Sequence, residues 1–461
     1  MRFMFSNAYN WRKSFSFWGI ILLVLVNGWY GNNLKRWKDN KVIDQDAVNY
    51  YAYFPATFIY HDWTFQFTKN LPPDFEGRIW LLPTPDGKQV LKMTMGLSIL
   101  WAPFETIAHW YAKMSHYKAD GYSKPYSVAI FIAALFYLAL GLFVLRKLLL
   151  KHFSEITTGI VLFLVVIGTN LMYYVISEPG MSHVYNFCLI ILLIHFTIKW
   201  LEHPSWYFSV AFGLVVGLII LIRPVNIITL FIPLLWGVTS IKEIKKRFSW
   251  LLSNWKMLSL AVFVSLLVVL PQLVYWKVAT GHWIYYSYQK EGFYFLNPHI
   301  IDGLFSYRKG WLLYTPIMAF ALVGLVFLKK YVQGASLAII VTLGVAIYVI
   351  YSWWSWWYGG SFGSRPMIDF YGLLAIPLAA FIQQVIRSKW IIKSVVILVL
   401  GFLVYLNQFQ MSQYRTSLLH WDSMTKKAYW AIMFKKSWPP NYDKLIQSPD
   451  YKKALKGEDE Y

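Results

Sequence analysis

The run YSVAIFIAALFYLALGLFVL, residues 126–145, decides the fold class. It carries no charged residue and is long enough to cross a bilayer as a helix. Similar apolar runs recur along the 461-residue chain, in which 57% of residues are hydrophobic and only 14% are charged. A soluble domain carries about 25% charged residues. Because backbone polar groups cannot stay unpaired in lipid, these runs predict an all-α integral membrane protein.

Eleven segments, this run among them, are predicted to cross the membrane. They lie near residues 15–31, 126–145, 156–176, 183–200, 206–222, 226–241, 257–276, 311–328, 335–352, 367–386 and 391–407. A further segment, 94–112, contains Pro103 and Glu105, and the sequence leaves open whether it crosses. The expected bundle therefore has about 11–13 helices. The first run follows a basic start and lacks a small-x-small cleavage site, which indicates an uncleaved anchor.

The predicted organisation has two parts. Residues 1–407 form the transmembrane domain, in which the outer loop 32–124 carries juxtamembrane helices. Residues 408–461 form a small extracytoplasmic amphipathic tail, which we expect to fold as short helices on the membrane surface.

The net charge of +21 is explained by basic loops on the cytoplasmic side rather than by nucleic-acid binding. If the basic start (Arg2, Arg12 and Lys13) is cytoplasmic and 94–112 does not fully cross, the basic connections near 146–151, 242–247, 329–330 and 387–393 all fall inside. The long aromatic loops then share the outer face. If 94–112 crosses fully, every one of these loops changes sides.

Two acidic residues open the stretch DQDAVNYYAYFPATFIYHDW, residues 44–63. Asp46 could cap the helix that follows it. A carboxylate at a membrane surface could also act as a general base, accepting a proton from a substrate hydroxyl as that oxygen attacks. The two roles are compatible.

Separated cations repeat on the same predicted face. Arg223 lies in LIILIRPVNIITL, Arg308 and Lys309 lie in LFSYRKGWLLYTP, and Arg365 follows the glycine-rich GGSFG. Lys92 precedes the segment 94–112. A charge near the membrane interior costs about 3 kcal/mol on insertion scales, so it needs a partner, and phosphate suits a guanidinium. Interfacial snorkelling is the alternative for Arg223 and Lys92.

The stretch SEPGMSHVYNF contains Glu178 and His183 five residues apart. This pair could bind a metal, hydrogen-bond sugar hydroxyls or cap a helix, and two ligands are too few to assign a metal site. A divalent metal cofactor stays open, and no metal ligand is assigned. The one cysteine, Cys188, lies in an apolar run and is interpreted as packing.

The usual signatures of hydrolases and nucleotide enzymes do not apply to this sequence. Residues 359–363 match G-x-S-x-G, but a tryptophan-rich helix end precedes them where a nucleophile elbow needs a strand. There is no G-x-x-x-x-G-K-[ST] and no H-E-x-x-H.

Taken together, six segments resemble a bacterial family of multi-spanning GT-C glycosyltransferases, close to the polyprenyl-phosphate-sugar (family 39-like) group. They are DAVNYYAYFPATFIYHD, KMTMGLSILWAPF, EPGMSHVYNF, LFSYRKGWLLYTP, WWYGGSFGSRPMIDFYGLLAIPLA and LLHWDSMTKKAYW. The resemblance implies a GT-C-like fold and transfer of a sugar from a polyprenyl phosphate carrier, with inversion. It implies a multi-pass protein of the bacterial cytoplasmic membrane with its active site facing the periplasm or exterior.

The same resemblance implies roles for particular residues. An acid in the first outer loop is best matched by Asp46. The adjacent acid pair of the group is split here as Asp44-Gln45-Asp46, so the base stays open between the two. By position, the lipid phosphate is matched to Arg223, Arg308, Arg365 and, more weakly, Lys92.

Residues expected to contact the sugar or acceptor are Glu178, His183, Tyr50, Tyr51 and Glu291. Sugar rings could also stack on Trp353, Trp354 and Trp357, although an interfacial aromatic belt explains such residues as well. The expected partners are the lipid-linked donor, membrane lipids and an unknown glycan, lipid or protein acceptor, without nucleic acid.

Two other functions stay open at this point. A transporter or flippase would also need buried arginines, but near the midplane and accessible from both sides. A glycan ligase or polymerase with diphosphate-linked donors would share the cations without needing an acid in the first loop.

Overall fold

The computed structural model describes residues 14–71, 75, 77–84 and 86–458. The predicted basic start, Arg2, Arg12 and Lys13, lies outside them. The α-helices are α1 Phe15–Leu34, α2 Asp46–Tyr51, α3 Tyr53–Phe58, α4 Gly96–Met114, α5 Lys124–Leu149, α6 Glu155–Ile167, α7 Leu171–Ile176, α8 His183–Glu202, α9 Trp206–Ile222, α10 Phe231–Leu235, α11 Ile241–Ser253, α12 Trp255–Thr280, α13 Ile300–Phe305, α14 Trp311–Tyr314, α15 Ile317–Tyr331, α16 Ser336–Tyr351, α17 Tyr371–Ile386, α18 Trp390–Arg415, α19 Lys426–Ile432 and α20 Tyr451–Ala454.

Shorter elements connect these helices. Strands β1, Leu81–Pro83, and β2, Gln89–Leu91, form an antiparallel hairpin in the loop between α3 and α4. Two 3-10 helices matter for the site: Pro224–Leu230 follows α9, and Arg365–Phe370 leads into α17.

In the described part of the chain, seven helical segments are long and apolar enough to cross a membrane: Phe15–Lys38, Lys124–Leu149, His183–Glu202, Trp255–Thr280, Gln333–Tyr351, Arg365–Ile386 and Trp390–Arg415. Three further apolar helical segments, Glu155–Ile167, Trp206–Ile222 and Pro224–Leu235, are shorter.

Three predicted crossings are not continuous helices. Residues 156–176 break between α6 and α7, where the Thr169 hydroxyl bonds to the Val165 carbonyl and accepts from the Leu171 amide. Residues 226–241 form a 3-10 helix and the short α10, which ends before Gly237 at φ 83°. Residues 311–328 break before Pro316, whose ring nitrogen cannot donate a hydrogen bond to a preceding turn.

Small residues let the helices pack closely. A Cβ added to Gly324 in α15 would lie 1.9 Å from the carbonyl oxygen of Pro377 in α17. The backbones of these two helices therefore touch, as membrane helices do where a small side chain faces the partner.

Contacts between α1 and α5 settle which helix ends share a side. The Arg146 guanidinium, near the end of α5, donates to the Ser16 hydroxyl at the start of α1, with Nε and Oγ 2.6 Å apart. At the opposite ends, Trp37 packs against Phe131 with ring centroids 5.9 Å apart. The chain therefore leaves α1 and enters α5 on one side, so the intervening helix α4 produces no net crossing. This geometry favours the arrangement in which the described basic connections share a face.

The last helix of the bundle runs past the predicted domain boundary. Helix α18 continues to Arg415, and the chain then folds back as short helices α19 and α20. The segment beyond α18 contacts the loops at that end of the bundle, where Arg308 donates to the Asp422 carbonyl and the Tyr294 hydroxyl donates to the Leu455 carbonyl.

Candidate functional site

A cavity of about 870 Å³ opens at the helix ends opposite the basic connections. Its walls come from the start of α2, the β2–α4 connection, the start of α8, the end of α9, the loop after α12 and the loop after α16. The lining residues include Asp46, Tyr50, Lys92, His183, Arg223, Glu291, Trp353, Trp354, Tyr358, Arg365 and Tyr451. Sequence positions more than 400 residues apart, such as Asp46 and Tyr451, therefore border one space.

An ion pair between two predicted residues lies in this wall. Arg365 Nη2 donates to Asp46 Oδ2 at 3.0 Å, and both side chains are only partly exposed. Asp46 is the first residue of α2 and does not cap it, because the N-cap position belongs to Gln45. Gln45 has φ 50° and ψ −131°, a conformation that is costly for a residue with a Cβ. The strained turn fixes where α2, and with it Asp46, begins.

A second cation, Arg223, is held by a buried acid. Arg223 Nη1 lies 3.3 Å from Asp369 Oδ2, and Asp369 is fully buried. Asp369 also accepts from His183 Nδ1 at 2.9 Å, Asn226 Nδ2 at 2.8 Å and Asn186 Nδ2 at 3.1 Å. Four donors converge on one carboxylate, which orients both Arg223 and His183 at the cavity wall.

The third cation, Lys92, is paired with another residue that lines the cavity. Lys92 Nζ forms an ion pair with Glu291, and the Ser287 hydroxyl donates to the Lys92 carbonyl at 2.6 Å. The Lys92 ammonium also lies 5.2 Å from the ring centroid of Tyr288. These contacts of Lys92 hold the loop after α12 against the β2–α4 connection.

The hydroxyl of Tyr50 completes the polar part of the cavity. Burial and the neighbouring Asp46 carboxylate together raise the pKa of Tyr50 to about 12, while Arg223 and Arg365 oppose the shift. The phenol therefore stays protonated at neutral pH and is available as a hydrogen-bond donor.

The structure brings most of the predicted site residues to the cavity. Those that line it are Asp46, Tyr50, Lys92, His183, Arg223, Glu291, Arg365, Trp353 and Trp354. Asp44, Tyr51, Glu178, Arg308 and Trp357 lie elsewhere.

Asp44 and Tyr51 face away from the cavity. Asp44 pairs with Arg78 at 3.7 Å and is partly exposed to solvent. The Tyr51 hydroxyl bonds to the carbonyl oxygen of Gly121 at 2.5 Å, and it also donates to Glu105 at 3.3 Å. Successive side chains of the helix α2 point in different directions, so Tyr50 lines the cavity and Tyr51 does not.

Glu178 lies behind the wall rather than in it. The Tyr173 hydroxyl donates to Glu178 Oε1 at 2.8 Å. Burial raises the pKa of Glu178, although the hydrogen bond from Tyr173 and the charge of Arg365 oppose the shift. Glu178 therefore interacts with the charge of Arg365 without lining the cavity.

Arg308 and Trp357 belong to the packed core beneath the tail. Arg308 is 2% exposed and donates to main-chain carbonyls of Asp422 and Gln447. Its guanidinium lies 5.7 Å from the ring centroid of Trp357. This placement does not support the predicted phosphate contact, because the guanidinium is already directed at the C-terminal segment.

Two further predictions concern Ser361 and a metal. Ser361 of the G-x-S-x-G match is fully buried, and its hydroxyl donates to the Gly363 carbonyl at 2.9 Å, away from the cavity. Across the described residues, no group of three or more His, Cys, Asp or Glu is placed to hold a metal ion.

Asp369 was missed by the sequence analysis, although it lies only four residues after the predicted Arg365. The available signal was an acid followed by the apolar run of α17. A carboxylate placed there needs partners, and Arg223 was the unpaired cation on the same predicted face.

Among solved structures, the chain is similar to the apo form of an oligosaccharyltransferase from Archaeoglobus fulgidus, with a TM-score of 0.53 and 11% identity over 96% of this chain. It also aligns with the archaeal oligosaccharyltransferase AglB from Archaeoglobus fulgidus in complex with an inhibitory peptide and a dolichol-phosphate, with a TM-score of 0.49 and 12% identity over 95% of this chain.

The likeness at this identity establishes the fold. The chain covers 61% of the length of each of these two structures. No protein-family model matches the sequence, and no curated protein matches it.

Proposed function

We propose that this protein is a membrane glycosyltransferase that moves a sugar from a polyprenyl-phosphate carrier to an acceptor on the outer face of the bacterial cytoplasmic membrane. The observation that carries the proposal is the Asp46–Arg365 pair in a cavity that also presents Arg223. Such a transfer uses a proton acceptor for the attacking hydroxyl and cationic groups for the departing phosphate. The oligosaccharyltransferase fold of the solved neighbour agrees with this class of reaction.

The chemistry follows from the two kinds of group. An acceptor oxygen attacks the anomeric carbon from the face opposite the phosphate, and the bond between that carbon and the phosphate oxygen breaks. The electron pair of that bond leaves with the lipid phosphate, and the acceptor proton passes to the Asp46 carboxylate. The configuration at the anomeric carbon is inverted.

Arg365 would serve both halves of this step. It lies 3.0 Å from Asp46, and a guanidinium has five donors in a planar fork. With one edge on Asp46, the other donors can reach a phosphate oxygen. Arg223 has the same capacity, since its contacts with Asp369 at 3.3 Å and His183 at 3.5 Å both use Nη1. Stabilising the charge that develops on the leaving phosphate supplies much of the rate in such reactions.

The lipid part of the donor has a matching surface. Apolar side chains in the 3-10 helix that follows α9 and near the end of α12 line one part of the cavity: Val225, Ile227, Ile228 and Trp276. Ile227 is 52% exposed and lies four residues after Arg223 in the sequence. A polyprenyl chain can therefore rest on this surface while its phosphate meets Arg223 and Arg365.

The location of the charges argues against a transporter. A transporter needs its charges near the midplane and open in turn to both sides. Here Asp46, Arg223 and Arg365 lie at helix ends on one side, and the basic connections lie on the other.

The test is to identify lipids that copurify with the protein by mass spectrometry and to assay them for sugar release. We expect a sugar-bearing polyprenyl monophosphate in wild type and in Asp46→Asn, with turnover only in wild type. A copurifying diphosphate-linked glycan would favour a ligase or polymerase. Full turnover in Asp46→Asn would contradict the assignment of the base.

A further inference from the structure

The C-terminal segment is held to the bundle at two places. Arg308 Nη1 donates to the Asp422 carbonyl at 2.5 Å and to the Gln447 carbonyl at 3.3 Å. Further along, the Tyr294 hydroxyl donates to the Leu455 carbonyl, and Asn297 Nδ2 donates to the Gly457 carbonyl at 3.3 Å. Because main-chain carbonyls are the acceptors, the whole segment from 422 to 457 is fixed in position rather than one side chain.

This fixed segment supplies one wall of the cavity. Tyr451, at the start of α20, is among the lining residues and is 36% exposed. Its hydroxyl is already committed, since it donates to Asp422 Oδ2 at 2.7 Å. The ring of Tyr451, held by that bond, is therefore the part that borders the open space.

Aromatic rings from a different loop border the same place. The Tyr451 ring centroid lies 6.2 Å from that of Trp354, which also lines the cavity, and 5.6 Å from that of the buried Trp357. Ser355 lines the cavity beside Trp354, which adds a polar group next to the rings. Aromatic walls with a few polar groups are typical of sites that bind small cyclic ligands.

The position of this wall decides between a lipid and a sugar. Tyr451 and Trp354 lie outside the seven helical segments that are long and apolar enough to cross a membrane. The apolar surface formed by Val225, Ile227 and Trp276 lies at the ends of helices within the bundle and suits the lipid chain. The wall formed by Tyr451 and Trp354 comes from segments that follow the apolar helices α16 and α18.

We infer that Tyr451 and Trp354 form a subsite for a neutral sugar ring, and that the C-terminal segment completes the binding cavity through its anchor Arg308. This inference rests on the proposed function and adds to it a saccharide subsite supplied in part by the tail. Arg308 acts as a positioning residue for Tyr451 and does not touch the ligand.

The test measures two kinds of binding to the full-length protein in lipid nanodiscs. A panel of neutral trisaccharides built from glucose, mannose or N-acetylglucosamine probes the subsite, and undecaprenyl phosphate probes the phosphate half. We expect at least one trisaccharide to bind wild type and Tyr451→Ala to weaken it about fivefold or more, because an aromatic contact is lost. Tyr451→Ala should leave undecaprenyl phosphate binding within about twofold of wild type.

Matched variants separate a local effect from misfolding. Lys452→Ala changes the exposed next residue and should alter neither affinity. Arg308→Ala should weaken the trisaccharide through Tyr451, so the double variant Arg308→Ala/Tyr451→Ala should be no weaker than the worse single variant. If Arg308→Ala does not fold, Tyr451→Ala alone decides.

Two results would overturn the inference: no trisaccharide of the panel binds wild type, or Tyr451→Ala binds the trisaccharide as wild type does. Failure of the proposed function itself has a different signature, namely that undecaprenyl phosphate binds no more weakly to Arg365→Ala than to wild type.

Discussion

Arg365 Nη2 lies 3.0 Å from Asp46 Oδ2, although the two residues are 319 positions apart in the sequence. The pair joins the start of α2, in the connection between α1 and α4, to the 3-10 helix that leads into α17. It places a carboxylate that can accept a proton beside a guanidinium that can hold a phosphate. The proposed chemistry depends on this contact more than on any other.

Replacing Asp46 by Asn should remove the proposed base without changing the volume of the side chain. We expect sugar transfer to fall about 10²- to 10⁴-fold, the usual contribution of general base catalysis. Release of sugar from the copurified donor lipid measures this. Asp44→Asn is the matched control, because Asp44 pairs with Arg78 outside the cavity and should retain near wild-type transfer. The reverse order of the two variants would assign the base to Asp44.

Removing either guanidinium that lines the cavity should weaken the binding of the lipid phosphate. Hydrogen bonds to charged groups contribute about 1.5–3 kcal/mol each, so Arg365→Ala and Arg223→Ala should lower the affinity for undecaprenyl phosphate about 10- to 100-fold. Binding in nanodiscs measures this. Arg78→Ala, which removes the partner of Asp44, should bind as wild type. Unchanged affinity in both cavity variants would exclude them as phosphate ligands.

Asp369 should matter for stability as well as for activity. Asp369→Asn leaves Arg223 without its buried counter-ion, and breaking such a pair typically costs about 3–5 kcal/mol. We expect a lower free energy of unfolding in a denaturing-detergent titration, together with weaker undecaprenyl phosphate binding. Asp302→Asn removes an acid that is 41% exposed and pairs with His299, so it should change stability little. Wild-type stability of Asp369→Asn would show that the buried network is not needed.

Lys309 should make stability depend on pH. Burial lowers the pKa of Lys309 to about 7 from its ordinary value of 10.5, with Asp422 and Glu178 opposing the shift and Arg308 and Arg365 adding to it. Between these two values the unfolded chain binds more protons than the folded one, so the free energy of unfolding rises with pH.

Lys309→Met should remove this contribution. We expect wild type to gain more in melting temperature than Lys309→Met when the pH is raised from 6.5 to 8.5. Lys452→Met, which replaces an exposed lysine, should follow wild type. An equal gain in wild type and Lys309→Met would show that Lys309 does not titrate in this range.

The sequence was sufficient for the class of fold because apolar runs and charge asymmetry act through general rules. The sequence was also sufficient to predict that Asp46, Arg223 and Arg365 share one face, since a charge at a helix end in a membrane protein needs a partner. The breaks at Thr169 and Pro316 were not predicted, because an apolar run looks the same whether one helix or two pass through it.

Arg308 and Asp369 show what the sequence could not reveal. Arg308 resembles the other cations by pattern, but its acceptors are carbonyls of Asp422 and Gln447, and main-chain groups leave no trace in residue type. Asp369 lies within an apolar context, and its role depends on four donors that come from two separate segments, the start of α8 and residues 223–226. Tertiary contacts between distant segments decide both positions.

The most direct measurement is an experimental structure of the protein with undecaprenyl phosphate bound. The account predicts the phosphate within hydrogen-bond distance of both Arg365 and Arg223, with the Asp46 carboxylate beside it and the prenyl chain along Val225 and Ile227. A phosphate bound at the opposite helix ends, or in a place that neither arginine reaches, would contradict it.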